Sequence, residues 1–497
     1  MNSPLSTSAS CVPAGVTRCV PGRLASASLL GLLTLVLPFT VGAQGFGLNE
    51  IGTCAVARAG AGTATPCADG SAIFWNPAAT VRLDRTTLLV GAAGIALGGD
   101  FTADVTGRRY DGASPREIPP HLFATFRPLP NLAAGIGVYV PYGLTSEWND
   151  DFPGRFASQR ASLASIYIQP NLAWDVIPGR FSVGGGPVVG VSTVELQQSL
   201  DLSAQAIAPG VTFANLGIPA QTEFATADLH GRSTAFGYNV GAQLQLGAGL
   251  ALGVRYLSEL RFTYNAGDVA FEPVATGLII GGTVPNPADP TGPPLIPAGT
   301  PVDALVAGQF GAEGTLRDQR VRTRIDHPAQ FQVGIAFTGM ERTSAMLDYT
   351  RHGWSSFGEL PVRFQGSVAN NFAQPTALDR DLIEDYEDSW SVKGAVDHTF
   401  RNRWEARIGA NVIRSPAPDA TVSPLLPDMD RWNFAGGVGI PIGRRFLIDL
   451  AYLRVETEGR RGRVAERESR EQTAADLNAG FYRLDANVLS LSLRARF

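Results

Sequence analysis

The connections between its amphipathic segments constrain this chain more than any motif does. From Thr86 to the C-terminus fourteen segments read as β-strands, near 86–94, 119–127, 132–142, 165–176, 181–196, 235–246, 250–264, 329–338, 343–354, 389–400, 404–415, 431–442, 446–456 and 485–497. In the eleventh, Trp404, Ala406, Ile408, Ala410 and Val412 alternate with Glu405, Arg407, Gly409 and Asn411. A period of two gives a strand one apolar and one polar face. Six connections are tight and rich in Gly, Pro, Asn and Arg: Arg127–Asn131, Ile177–Arg180, Gly247–Gly249, Gly339–Arg342, Arg401–Arg403 and Gly443–Arg445. Those between them are long, near 95–118, 143–164, 197–234, 265–328, 355–388, 416–430 and 457–484. A soluble sandwich has no reason to sort its loops by end, whereas a membrane barrel places turns on the periplasmic side and loops outside. The fold class is therefore read as all-β, a 14-stranded antiparallel transmembrane β-barrel over residues 84–497.

Aromatic residues agree with that reading. Trp174, Phe181, Phe337, Phe400, Trp404 and Phe446 flank short turns, and Tyr139, Tyr167, Trp354, Trp390 and Trp432 lie toward the long loops. Two such rows match the interfacial girdles of a barrel. The last strand alternates Leu489, Leu491, Leu493, Ala495 and Phe497 with Ser490, Ser492, Arg494 and Arg496, resembling the signal read by the barrel-insertion machinery. Outer-membrane lipid and lipopolysaccharide would then surround the wall. After residue 43 no run approaches the ~18 apolar residues of a spanning helix, and a mean hydropathy of +0.04 suits a barrel whose strands are half polar. The formal charge is −5, which leaves no electrostatic footprint for nucleic acid.

The first 43 residues carry Arg18 and Arg23, an apolar run from Leu29 to Val41 and a small-residue exit at Val41-Gly42-Ala43. These are the parts of a signal peptide, with cleavage expected after Ala43. That would remove Cys11 and Cys19 and leave Cys54 and Cys67, which in an exported chain read as one disulfide, the alternative being a pair of buried thiols. Residues 44–83 differ from the rest. They are rich in Gly and Ala, have short helical pieces and lack long alternation, as a mostly helical hatch in the barrel lumen would.

Within that segment Gly45-Phe46-Gly47-Leu48-Asn49-Glu50, Ala57–Gly62 and Phe74-Trp75-Asn76-Pro77-Ala78 resemble the hatch of the FadL/TodX family. The resemblance continues through Pro141-Tyr142-Gly143, Trp148, Gly154-Arg155, Gly253–Phe262, Pro328–Gly334, Tyr349–Phe357, Pro416-Ala417-Pro418 and Pro427–Arg431. The cysteine pair and a Pro-rich fourth loop at Gly282–Gly299 depart from the family. The resemblance implies passive outer-membrane transport of a fatty acid or other hydrophobic ligand, without a cofactor and as a monomer. Capture among extracellular loops, a pocket near the hatch N-terminus and sideways release through the wall are implied with it. On that basis Phe46, Leu48, Phe74 and Trp75 are candidate ligand contacts, and Asn76, Pro77 and Ala78 are a candidate hatch anchor. Arg155 and Arg160 are candidates to fork onto a carboxylate.

Other classes fit less well. The five histidines are scattered without metal-ligand spacing, and neither a G-x-S-x-G elbow nor a phosphate-loop lysine occurs, so an enzyme is not expected. A general polar porin would be obstructed by the hatch. An adhesin or receptor would use the long loops and leave the lumen idle.

Overall fold

In a computed structural model the described residues are 45–104, 106–286, 288, 291–365, 378–462 and 479–497. The expected signal peptide lies outside them. Fourteen strands form the wall: β1 Thr87–Ala103, β2 Pro120–Leu129, β3 Leu132–Glu147, β4 Arg160–Ile177, β5 Phe181–Asp201, β6 Glu223–Gly247, β7 in two pieces (Leu250–Leu257 and Leu260–Pro273), β8 in two pieces (Gln319–His327 and Gln330–Met340), β9 Thr343–His352, β10 Ser389–Thr399, β11 Glu405–Ile413, β12 Arg431–Ile442, β13 Phe446–Thr457 and β14 Gly480–Arg496. Each pairs antiparallel with its sequence neighbour, and β1 closes on β14 from Thr87↔Arg496 to Ala103↔Gly480. The result is the 14-stranded antiparallel barrel the loop sorting implies, with no free edge around the ring.

Outward positions carry the apolar face. Ile408 is 65% exposed, Leu489 59% and Phe236 75%, values that mark a lipid-facing surface and not a core. Inward neighbours such as Arg407, Asn411, Ser490 and Ser492 are buried in the lumen. Several strands run further than their apolar alternation: β1 continues to Ala103 and β6 begins at Glu223. The extensions pair beyond the apolar band, β1 with β14 and β6 with β5, where polar outward residues end the periodic signal, so the loops are shorter than expected.

One aromatic row needs correction. Trp174, Phe337, Phe400, Trp404 and Phe446 are exposed at the short-turn end as expected, but Tyr139, Tyr167 and Trp354 are fully buried and point inward. Tyr139 and Tyr167 are in phase with the buried Ala133 and Ala173 of their own strands, and Trp354 lies in a 3-10 turn at Trp354–Ser356. A bulge at Val140-Pro141, where Tyr139 opposes Tyr167 and Tyr142 opposes Ser165, brings Tyr142 to the lumen as well. Phe236, Tyr238, Tyr349 and Tyr452 face outward.

The lumen is filled by residues 45–83, which contain helix α1 (Thr53–Ala57), helix α2 (Ala72–Trp75) and a 3-10 turn at Pro77–Arg82. Most of this segment is buried, so its many backbone groups must find partners inside the barrel. Asp348 of β9 accepts from Gly62 N at 2.7 Å, Thr63 N at 2.8 Å and Thr63 Oγ1 at 2.8 Å. Gln243 donates to Ala64 O at 2.7 Å, Gln169 to Ile73 O at 3.1 Å, and Arg494 to Ala68 O at 3.1 Å. Arg58 pairs with Asp397 of β10. Two lumenal glycines make room for the hatch backbone, since a Cβ on Gly253 or Gly409 would run into Thr63 or Arg58.

Cys54 at the start of α1 is bonded to Cys67, with Cα atoms 6.2 Å apart. The bridge closes a loop around Arg58 and ties α1 to the strap leading into α2. In the chain-entropy picture a loop of this size contributes about 3 kcal/mol. Cys54→Ser with Cys67→Ser should therefore raise amide hydrogen exchange across residues 45–83 while leaving the strands protected. Unchanged exchange in the hatch would show that the lumenal hydrogen bonds alone hold it.

Candidate functional site

Among the described residues the ladder of the wall is interrupted at several places, among them between β6 and β7, where no pairs join His230↔Asp268 to Asn239↔Leu257, and between β2 and β3, where the start of the hatch lies. The β2–β3 ladder runs from Leu129↔Leu132 to Leu122↔Val138 and stops there, although β3 continues to Glu147 against β4. Proline explains this break. Pro115, Pro119 and Pro120 lie on one side and Pro141 on the other, and none has an N–H to give a ladder. Above the break the wall closes again through the Gly112↔Trp148 bridge and the bond from Ala113 N to Glu147 O at 3.0 Å. The result is a window framed by residues 113–121 and 139–147.

The start of the hatch occupies this window. Leu48 N donates to Pro141 O at 2.9 Å, Gly143 N donates to Phe46 O at 3.0 Å, and Gly47 bridges Tyr142. Residues 46–48 thus supply hydrogen bonds that β2 cannot. Among the described residues only the Thr145 hydroxyl bond to Glu117, 2.8 Å long, spans the window by side chains alone. Phe46 is held in a cage of rings, with centroids 4.6 Å from Trp354, 5.5 Å from Phe357 and 6.0 Å from Tyr142.

Against this segment lies a cavity of about 350 Å³, bordered by Phe46 and Leu48 and by apolar residues of both window edges, among them Ile118, Pro120, Val140 and Leu144. Leu426, Leu484 and Trp148 are also part of its apolar surface. Its size and lining suit a small hydrophobic ligand. The charged lining is sparse: Glu117, Glu147, Asp428, Asp485 and Arg431. Arg431 donates to Gly45 O at 3.0 Å, holding the hatch start from the far side. Burial pushes the Asp428 carboxyl up, opposed by Arg431 and by the Ser415 hydroxyl, which donates to it at 2.8 Å.

The site residues expected from sequence separate into groups. Phe46 and Leu48 border the cavity. Phe74 and Trp75 lie away from it within the hatch: Phe74 sits under the Arg255 guanidinium at 4.0 Å and edge-on to Tyr139, and Trp75 donates to Ile51 O at 2.9 Å. Arg155 and Arg160 do not reach it either. Arg155 lies over Phe156 and meets Glu223 at 3.4 Å, while Arg160 is half-exposed on β4, 3.7 Å from Glu195. Arg431, Asp428 and Pro141 entered the sequence reading only as members of family motifs, without a role, and Pro115, Pro119 and Pro120 did not enter it. The four prolines were the available signal, because proline beside a strand pattern marks a place where pairing must stop.

Asn76, Pro77 and Ala78 lie at the entrance to the 3-10 turn. The Asn76 side-chain oxygen accepts from Ala78 N at 3.2 Å, and its amide donates to Thr63 O at 2.8 Å and Ala242 O at 3.0 Å. One buried side chain thus joins two turns of the hatch to β6. Asn76→Ala would leave these groups unpaired in a dry interior, at about 1–3 kcal/mol each. Limited proteolysis should then cut within residues 45–83 of the variant while the wild-type hatch stays intact, and equal resistance would mean that the anchor is redundant.

A barrel of this strand number, with a lumenal hatch and an apolar cavity at a break in the wall, matches known proteins over nearly its full length. Among relatives of known name, the long-chain fatty acid transport protein of Salmonella typhi is 22% identical over 438 residues, covering 85% of this chain and 90% of its own. Among solved structures, a FadL homologue from Pseudomonas aeruginosa superposes with a TM-score of 0.71 at 21% identity, covering 91% of this chain and 100% of that one. The toluene transporter TbuX of Ralstonia pickettii gives 0.60 at 17% identity, with 91% and 100% covered. These structural likenesses concern the fold. The family model described as outer membrane protein transport protein (OMPP1/FadL/TodX) matches residues 34–497, and the chain belongs to that family of outer-membrane transporters of hydrophobic compounds.

Proposed function

We propose that the protein moves hydrophobic small molecules, fatty acids or hydrocarbons, passively across the outer membrane, from the extracellular loops into the cavity and sideways through the window between β2 and β3. The observation that carries this reading is the meeting of three features at one place: the stopped ladder, the apolar cavity, and hatch residues 46–48 in the gap. An apolar ligand gains about 25 cal/mol for each Å² it withdraws from water, so a dry path ending in the bilayer is downhill without energy input. Few backbone bonds hold residues 46–48 to β3, and a ligand that binds better when they are displaced would shift the population toward an open window. The filled lumen argues against a water-filled porin.

The test fills the window and leaves the lumen alone. Ile118→Trp with Leu144→Trp should lower uptake of labelled toluene or oleate by expressing cells about tenfold, because the added rings take up cavity volume that a ligand needs. Heat-modifiable electrophoretic mobility checks that the barrel still folds. Undiminished uptake by a folded variant would rule out the sideways route.

A further inference from the structure

Resting on this transport reading, we infer that the cavity selects an uncharged hydrophobe, an alkane or aromatic hydrocarbon, over a molecule carrying a carboxylate. The charges around the cavity point that way. Among the described residues four carboxylates border it, Glu117, Glu147, Asp428 and Asp485, against one guanidinium, Arg431. That guanidinium is already engaged, with Gly45 O at 3.0 Å and with Asp428 as its electrostatic neighbour. Asp485 is matched by Arg454 at 2.5 Å, but Arg454 does not border the cavity. Glu117 accepts only a neutral hydroxyl, that of Thr145, at 2.8 Å. Cleavage after Ala43 would create an α-ammonium on Gln44, one residue before Gly45, and the acids would still outnumber the cations.

A ligand carboxylate placed here would meet like charges, of which Glu117 is exposed and Glu147, Asp428 and Asp485 are half-buried, so water screens their repulsion only in part. It would also bring its own desolvation penalty without a free cation to offset it. Arg155 and Arg160, the arginines expected to fork onto a carboxylate, lie beside Glu223 and Glu195 outside the cavity. An uncharged hydrocarbon meets none of these costs, and the apolar surface of Ile118, Val140, Leu144 and Leu426 remains available to it.

The experiment is equilibrium binding of labelled dodecane and dodecanoate to the full chain in zwitterionic-lipid nanodiscs, with empty nanodiscs subtracted. Near neutral pH, where dodecanoate is ionised, dodecane should bind saturably and dodecanoate about tenfold more weakly or worse. The Glu117→Gln, Glu147→Gln double variant should narrow that gap by strengthening dodecanoate. Dodecanoate binding as tightly as dodecane, and losing that affinity in Arg431→Gln, would overturn the inference and leave the transport reading standing. Saturable binding of neither ligand would sink the transport reading itself.

Discussion

A chain that spans a lipid bilayer with strands must satisfy every backbone N–H and C=O from within, and the rest of this structure depends on that constraint. It explains closure, since β1 pairs with β14 along its whole length and no edge is left to the hydrocarbon. It also gives the break between β2 and β3 its meaning. An unfilled gap would expose the polar groups of β3 beyond Val138. The hatch segment 46–48 supplies some of those partners, and the polypeptide that fills the lumen is thereby part of the wall.

The same constraint shapes the lumen. Outward-facing residues are chosen for lipid, so inward-facing ones are free to be polar and serve the hatch. Asp348, Gln243, Gln169 and Arg494 come from distant strands, and each ends on a hatch backbone group that would otherwise be orphaned. These bonds fix the body of the hatch, together with the Cys54–Cys67 bridge and the Asn76 side chain. The start of the hatch is held differently, by two backbone bonds, a cage of rings around Phe46 and the reach of Arg431 to Gly45. A firmly held body is thus joined to a more lightly held end.

Much of this was legible in the residues. The alternation Trp404, Ala406, Ile408 against Glu405, Arg407, Gly409 declares a two-faced strand, and turns such as Arg401–Arg403 declare which end is tight. Phe46 and Leu48 were legible as cavity neighbours through their family motif. In the aromatic row expected at the loop end, Tyr139 and Tyr167 face the lumen in phase with the buried Ala133 and Ala173 of their strands, so ring type alone does not say which face of a strand a residue takes. Arg155 and Arg160 were plausible carboxylate partners by type alone. What held them elsewhere was Glu223 and Glu195, one from β6 and one from β5, a proximity set by the closure of the sheet.

The sequence by itself determined the class of fold, the strand number, the end at which loops gather and the existence of a separate lumenal segment. Those follow from local periodicity and turn chemistry, which act over a few residues. Only the tertiary structure decided where the ladder between β2 and β3 stops, which residues border the cavity and what charge they present. Glu117, Glu147, Asp428, Arg431 and Asp485 come from well-separated parts of the chain and meet through the register of β1, β3, β12 and β14 around a closed ring, so their sum is a property of the assembled barrel and of no segment within it.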